Sequence, residues 1–261
     1  MDYVKFIWEI ALESWEIIKD NFKLAMNKDY KWDNTPVTIT DKKINSLIIE
    51  RINKFYPDHS IQWEEESDIK NSSDYVWVCD PVDWTIPFSS WIPICTFSLA
   101  LTCKWIPIVW VIYDPFSDRM LIAEKWKWAF LNWEKVSVNN RTKLDNRSII
   151  SIENFKMAKY DFWKLYVYLS DEVNPKLFQL CSVLYAWLML SVWELDAVIF
   201  PSTTNYDWAA LKIIVEEAWW KMTDINWYEQ RYDTDINWYI ASNWLIHKEL
   251  VEVIKRNVTK R

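Results

Sequence analysis

YVWVCDPVDWT, residues 75–85, joins an apolar run to two acids three residues apart. Tyr75–Cys79 has the aromatic and β-branched composition of a strand, and Asp80 stands at its C-terminal end. Pro81 fixes φ and stiffens the turn that follows. Asp83, at i+3, lets both carboxylates converge on one spot. Thr85 falls where a helix would begin, with its hydroxyl and free backbone N–H groups able to meet an anion. Hard oxygen ligands beside free N–H groups suit Mg2+ bound next to a phosphate. Asp-Pro-x-Asp is also ordinary turn chemistry, so this stretch alone leaves both readings open. Two further acidic stretches bear on the choice: WEEES at 63–67, and NYDWAALKIIVEEAWW at 205–220, where Asp207 opens a helical pattern.

Residue 84 belongs to a second peculiarity. The chain has 261 residues, 21 tryptophans and no glycine, where about 18 glycines are expected at ordinary usage. Tight turns and helix C-caps need positive φ, which only glycine adopts cheaply. The tryptophans occupy such places. Trp133, Trp227, Trp238 and Trp244 each follow an asparagine, as in Asn-Gly turns, and Trp219–Trp220 close a helical run. Most Trp letters therefore read as glycine. Some bacterial lineages read the UGA codon as glycine, and a table that reads it as tryptophan would write W. Trp77, in an apolar strand-like run, is natural as an aromatic; Trp163 and Trp187, in regular segments, stay open. The competing reading is a truly Trp-rich chain that stacks its indoles on carbohydrate or single-stranded nucleic acid.

Composition is otherwise that of an ordinary globular protein, with 26% charged and 51% hydrophobic residues and a net charge of −7. No basic tract stands out, so nucleic acid is not expected as a partner. Cys79, Cys95 and Cys103 sit in apolar runs and read as buried free thiols of a reducing compartment. The acidic, amphipathic N-terminus lacks the pattern of a signal peptide. Apolar runs are broken well short of a membrane span. No membrane association and a cytoplasmic location are the expectations. His59 and His247 read as structural.

Periodicity places helices over 2–25, 41–55, 160–169, 176–192, 207–218 and 246–254. Strands are expected at 75–79, 97–104, 106–113, 120–125, 128–131, 148–154, 196–200 and 239–242. The polar stretch 139–147 suggests two halves, 1–145 carrying the acidic motifs and 146–261 carrying Asp207, together one catalytic unit. Alternation without a strict repeat indicates a mixed α/β or α+β architecture.

With Trp read as Gly, the three acidic stretches become GEEES, DPVDGT and YDGAALKIIVEEAGG. Together they resemble the inositol monophosphatase family of Mg2+-dependent, Li+-sensitive sugar phosphatases. TPVTITDKKIN at 35–45 is similar to its P-V-T-x-x-D element, and FSSWIPICTFSLAL at 88–101 to its F-x-x-G-x-P stretch. WIPIVWVIYDP at 105–115, WKWAFLNWEKVSV at 126–138 and WELDA at 193–197 resemble G-x-P-x-x-G-V-I-Y-x-P, G-x-G-A-F-x-N-G and G-x-x-D-A. The resemblance runs in order from about residue 5 to residue 250.

The resemblance implies a layered αβαβα sandwich of the inositol monophosphatase and fructose-1,6-bisphosphatase type, classed α+β. It also implies Mg2+ as cofactor. Glu64, Asp80 and the Val82 carbonyl would hold one ion; Asp80, Asp83 and Asp207 would hold a second. Glu64 and Thr85, with Asp41 behind them, would orient and deprotonate the attacking water. Backbone N–H groups at Trp84 and Thr85 would bind phosphate together with Asp83, and Ser182 and Phe200 would meet the organic part of the substrate. Phe200 stands where inositol-specific members carry a Glu, and Cys181–Ser182 replaces a frequent Gly-Ser/Thr pair, so inositol specificity is in doubt. The expected activity is hydrolysis of a small polyol or sugar phosphate. Inositol 1-phosphate is the default substrate, and histidinol phosphate, fructose 1,6-bisphosphate or a nucleotide 3′-phosphate are the alternatives. A homodimer is expected by resemblance only. If the tryptophans are real, Trp63 and Trp84 would crowd the metal site, and a non-catalytic, aromatic-rich binding protein is the alternative.

Overall fold

The computed structural model describes residues 2–30, 36–63, 67–68, 73–104, 106–153, 160–180, 182–200, 213, 217–218, 220–228 and 238–261. The chain forms two compact units, Met1–Lys135 and Val136–Arg261.

The first unit opens with α1 (Tyr3–Asn21), capped by Asp2, whose carboxylate accepts from the Val4 N–H at 2.9 Å. Phe6, Ile7, Ile10, Ala11, Ser14 and Ile18 form its buried stripe, the helical spacing expected of a core-facing helix. A short hairpin of β1 (Lys28–Tyr30) and β2 (Pro36–Thr38) leads into α2 (Ile39–Phe55). The remaining strands are β3 (Ser60–Trp63), β4 (Ser67–Asp68), β5 (Tyr75–Asp83), β6 (Thr96–Cys103), β7 (Ile106–Asp114), β8 (Arg119–Glu124), β9 (Ala129–Leu131) and β10 (Glu134–Lys135), with the short helix α3 (Thr85–Ser89) after β5. They form one sheet in the order β10-β9-β8-β7-β6-β5-β3-β4. Only the β3–β5 pair is parallel. Both long helices pack on this sheet. Phe6, Ile10, Ile44, Ile48, Trp77, Leu99, Leu101 and Val111 belong to the core between them.

The second unit is built on β11 (Ile149–Ile152), β12 (Tyr160–Asp161), β13 (Lys176–Phe178), β14 (Ala197–Phe200), β15 (Lys221–Thr223), β16 (Tyr239–Ser242) and β17 (Thr259–Lys260). Its main sheet runs β13-β11-β14-β16-β15, parallel across the first three strands and antiparallel beyond. The helices are α4 (Trp163–Tyr168), which continues as a π turn over Leu169–Val173, α5 (Val183–Ser191) and α6 (Trp244–Asn257). Ile150, Ile152, Phe162, Leu165, Ile199, Ile240, Leu250 and Ile254 share a core. Among the described residues no helix is long and apolar enough to cross a membrane.

Mixed sheets with helices make the fold α+β, as expected. The helix expected over 176–192 is two elements. Residues 176–178 pair in parallel with β11, and the helix begins only after Ser182, whose hydroxyl accepts from the Tyr185 N–H at 3.0 Å. The helix expected from Tyr160 starts at Trp163, because Tyr160 and Asp161 pair with Lys260 and Thr259. The helix expected over 207–218 lies almost entirely outside the described residues.

Candidate active site

Asp80 is not the end of its strand. β5 continues through Pro81 and Val82 to Asp83, and its pairing with β6 shifts register between the two acids: Asp80 faces Ser98, whereas Asp83 faces Thr96. Three steps along β5 thus match two along β6, a one-residue β-bulge, a device that re-aims side chains beside functional sites. Val82 is buried, and its carbonyl accepts from the Thr85 hydroxyl at 2.9 Å. The Thr96 hydroxyl donates to Asp83 Oδ2 at 3.3 Å, a contact that no sequence motif marks. Trp84 follows with φ 73° and ψ 42°, the left-handed conformation, and α3 starts at Thr85. Thr85 is therefore at a helix start, as expected.

Asp41 approaches from α2. It is the third residue of that helix, and Thr38 is the N-cap. Asp41 Oδ2 accepts from the Thr38 N–H at 2.8 Å and from the Thr38 hydroxyl at 2.6 Å. This reciprocal capping box fixes the carboxylate at the positive end of α2. Asp41 is only 5% exposed.

Cys95 lies just before Thr96, at the start of β6. Its thiol is fully buried. Burial, followed by the carboxylates of Asp114, Asp83, Asp41 and Asp80, pushes the Cys95 thiol well above its usual range. These four acids come from three elements, Asp80 and Asp83 from β5, Asp41 from α2 and Asp114 from β7. Asp114 is held by Arg119 at 2.7 Å. Sequence reasoning treated Cys95 only as a buried free thiol, which it is, along with Cys79; Cys103 is partly exposed rather than buried.

Glu64 and Asp207 lie outside the described residues. Among the described residues, no three His, Cys, Asp or Glu side chains form a metal-holding group by themselves. The chemistry of the described donors, the carboxylates of Asp80 and Asp83 and the Val82 carbonyl, fits a hard divalent cation. Ser182 and Phe200 belong to the second unit: Ser182 is the buried N-cap of α5, and Phe200 is the buried last residue of β14. Both histidines are structural. His59 Nδ1 accepts from the Trp77 indole N–H at 3.0 Å. His247 is buried between the hydroxyls of Thr223 and Ser242, 2.9 Å and 2.8 Å from its two ring nitrogens.

A model of the Inositol monophosphatase family matches residues 2–259, and the chain belongs to that family of phosphate-monoester phosphatases. The chain is 28% identical over 257 residues to the bifunctional phosphatase IMPL2, chloroplastic, of Arabidopsis thaliana, covering 94% of this chain and 73% of that protein. It is also 28% identical over 222 residues to a fructose-1,6-bisphosphatase/inositol-1-monophosphatase of Thermotoga maritima, covering 85% and 83%. The solved structure of a Thermotoga maritima IMPase superposes with a TM-score of 0.87 at 26% identity over 98% of both chains.

Proposed function

We propose that this protein is a Mg2+-dependent phosphomonoesterase that releases phosphate from a small polyol or sugar phosphate by direct attack of water. The proposal concerns the polypeptide with glycine at 63, 84 and 208. The observation that carries it is the bulge at Asp80–Asp83, which ends in a left-handed residue and a helix start.

Asp80, Asp83 and the Val82 carbonyl, with Glu64 and Asp207, are the proposed Mg2+ ligands. Bound there, Mg2+ would supply Lewis-acid stabilisation of charge on the phosphoryl oxygens and a more acidic water. The Thr85 hydroxyl gives its proton to the Val82 carbonyl, so toward a water it acts as an acceptor and can hold that water in line. Glu64 takes the water's proton, and Asp41, fixed by Thr38, supports this arrangement from behind. Backbone N–H groups at 84 and 85, at the start of α3, bind phosphate oxygens; an indole on residue 84 would fill the space that phosphate needs. Ser182 and Phe200 contact the organic part of the ester. The apolar Phe200 puts inositol specificity in doubt; inositol 1-phosphate is the default substrate, with histidinol phosphate the near rival and fructose 1,6-bisphosphate or a nucleotide 3′-phosphate behind it. The proposed partners are this metabolite and a second copy of the chain, in a cytoplasmic setting.

The test is phosphate release, with and without Mg2+, from inositol 1-phosphate, fructose 1,6-bisphosphate, histidinol phosphate and a nucleotide 3′-phosphate, using protein with glycine restored. Mg2+-dependent turnover of at least one ester supports the reading. Metal binding without turnover on any of them sinks it.

A further inference from the structure

Twelve described residues have positive φ, and seven of them are tryptophan: Trp84, Trp91, Trp126, Trp128, Trp133, Trp193 and Trp227. No described phenylalanine or tyrosine is among them. Positive φ is an outlier for a bulky side chain and free for glycine. Chance placement of a large aromatic does not select the one backbone region it tolerates worst.

The hydrogen bonds around these residues define motifs with a fixed glycine position. After α5, the Trp193 N–H bonds the Leu190 carbonyl at 3.1 Å and the Glu194 N–H bonds the Met189 carbonyl at 3.0 Å. This is a Schellman motif, and Trp193, with φ 70°, sits at the position just past the cap where glycine is the usual residue. α3 ends the same way. The Trp91 N–H bonds the Phe88 carbonyl and the Ile92 N–H bonds the Pro87 carbonyl, both at 3.0 Å, and Trp91 has φ 63°.

Between β9 and β10, Leu131 pairs with Glu134, so the loop is two residues long. Its residues, Asn132 and Trp133, have φ 46° and 70°. Two consecutive positive φ values in a two-residue hairpin loop make a type I′ turn, whose preferred sequence is Asn-Gly. At Asp224–Tyr228 the Trp227 N–H bonds the Asp224 carbonyl at 3.2 Å, and the Asp224 N–H bonds the Tyr228 carbonyl at 3.0 Å. Trp227, with φ 70°, fills the left-handed position that closes this turn.

Trp77 is different. Its indole is fully buried, donates to His59 Nδ1 and packs against the rings of Tyr3, Phe6 and Tyr56. Glycine there would leave a large cavity and take away the hydrogen-bond donor to a buried imidazole.

We infer that the source cell builds glycine at 84, 91, 126, 128, 133, 193 and 227, and tryptophan at 77, so that two codons of different meaning are written here with one letter. A positive φ marks glycine, and the buried, hydrogen-bonded indole marks Trp77; a negative φ by itself assigns neither residue. The inference does not depend on the phosphatase reading, since most of these positions are turns and helix ends outside the acidic cluster.

The experiment is tandem mass spectrometry of peptides from the protein purified from its source cells, read beside the gene's codons. Glycine is expected at all seven positions under one codon, with tryptophan at 77 under another. Tryptophan at any of the seven overturns the rule, and tryptophan at 91, 133 and 193 would overturn recoding itself. Glycine at 77 would overturn the sorting. Enzyme activity enters none of these outcomes.

Discussion

The two-residue loop Asn132–Trp133 offers a measurement of backbone strain with its own control. Replacing Trp133 by Gly or by Ala removes the indole in both variants, together with its contact to the Trp8 ring. The two differ only in whether a Cβ must sit at φ 70°. A Cβ in the left-handed region costs about 1–2 kcal/mol, and glycine loses roughly 0.5–1 kcal/mol more entropy on folding. Trp133→Gly should therefore exceed Trp133→Ala in stability by about 1 kcal/mol. Trp15 is the control. It lies inside α1 and packs on Phe116, so both truncations lose that contact, and Trp15→Ala should exceed Trp15→Gly by about 1 kcal/mol. The order of Gly and Ala thus inverts between the two sites, a double difference of about 2 kcal/mol. Urea unfolding followed by far-UV circular dichroism reads it, because a slope of roughly 1–3 kcal/mol per molar turns each difference into a resolvable midpoint shift. If Trp133→Ala equals or exceeds Trp133→Gly, the turn does not demand glycine and the strain argument fails.

Three further outcomes are expected. Asp83→Asn, in protein with glycine restored, should lower Mg2+-dependent phosphate release by more than the roughly 10–100-fold typical of residues that only support a metal ligand, with an unchanged circular dichroism spectrum; turnover near that of the parent would remove Asp83 from the metal site. His247 is pushed down from 6.5 to about 4, by burial first and the nearby Lys221 second. The unfolded chain binds the extra proton between those values, so this stability is complete above about pH 6.5 and drains as pH falls toward 4, by about 3 kcal/mol. Urea midpoints at the two ends should show the drop, and His247→Gln should flatten it. Finally, Trp77→Phe keeps an aromatic in the core but leaves His59 Nδ1 without its indole donor, at a cost of about 1–3 kcal/mol; a thermal midpoint equal to the parent's would mean that this hydrogen bond contributes nothing.

The legible part of the fold was the part with strict local signals. The long alternating runs at 97–104 and 106–113 became β6 and β7 within a residue or two, and the Tyr239–Ser242 strand was placed correctly. Lys176–Phe178 was misread because three residues carry too little periodicity, and only the parallel partner β11 makes them a strand. The acidic pair in DPVDWT was visible from spacing, but its bulge was not, because register belongs to the partner strand β6. A site role for Asp41 was legible only through family resemblance, and the capping box that fixes its carboxylate emerges from local packing. Tryptophan-for-glycine was legible in composition and in two of the four Asn-Trp pairs, at Trp133 and Trp227; Trp238 and Trp244 are not among the described residues of positive φ, because Asn243 caps a helix that begins at Trp244 and Trp238 leads directly into β16.

The register slip in β5 has a consequence best put as parity. In a regular strand, residues separated by an odd number of steps point to opposite faces. Asp80 and Asp83 are three apart and would face away from each other. One supernumerary residue in β5 against β6 changes odd to even and lets both acids serve one side of the sheet. Deleting Val82 would leave two carboxylates, two residues apart, in an ordinary ladder without the kink that delivers the chain into α3. Removing the extra residue would keep both acids on one face and lose only the bend, so what the bulge adds is the direction in which the chain leaves the strand.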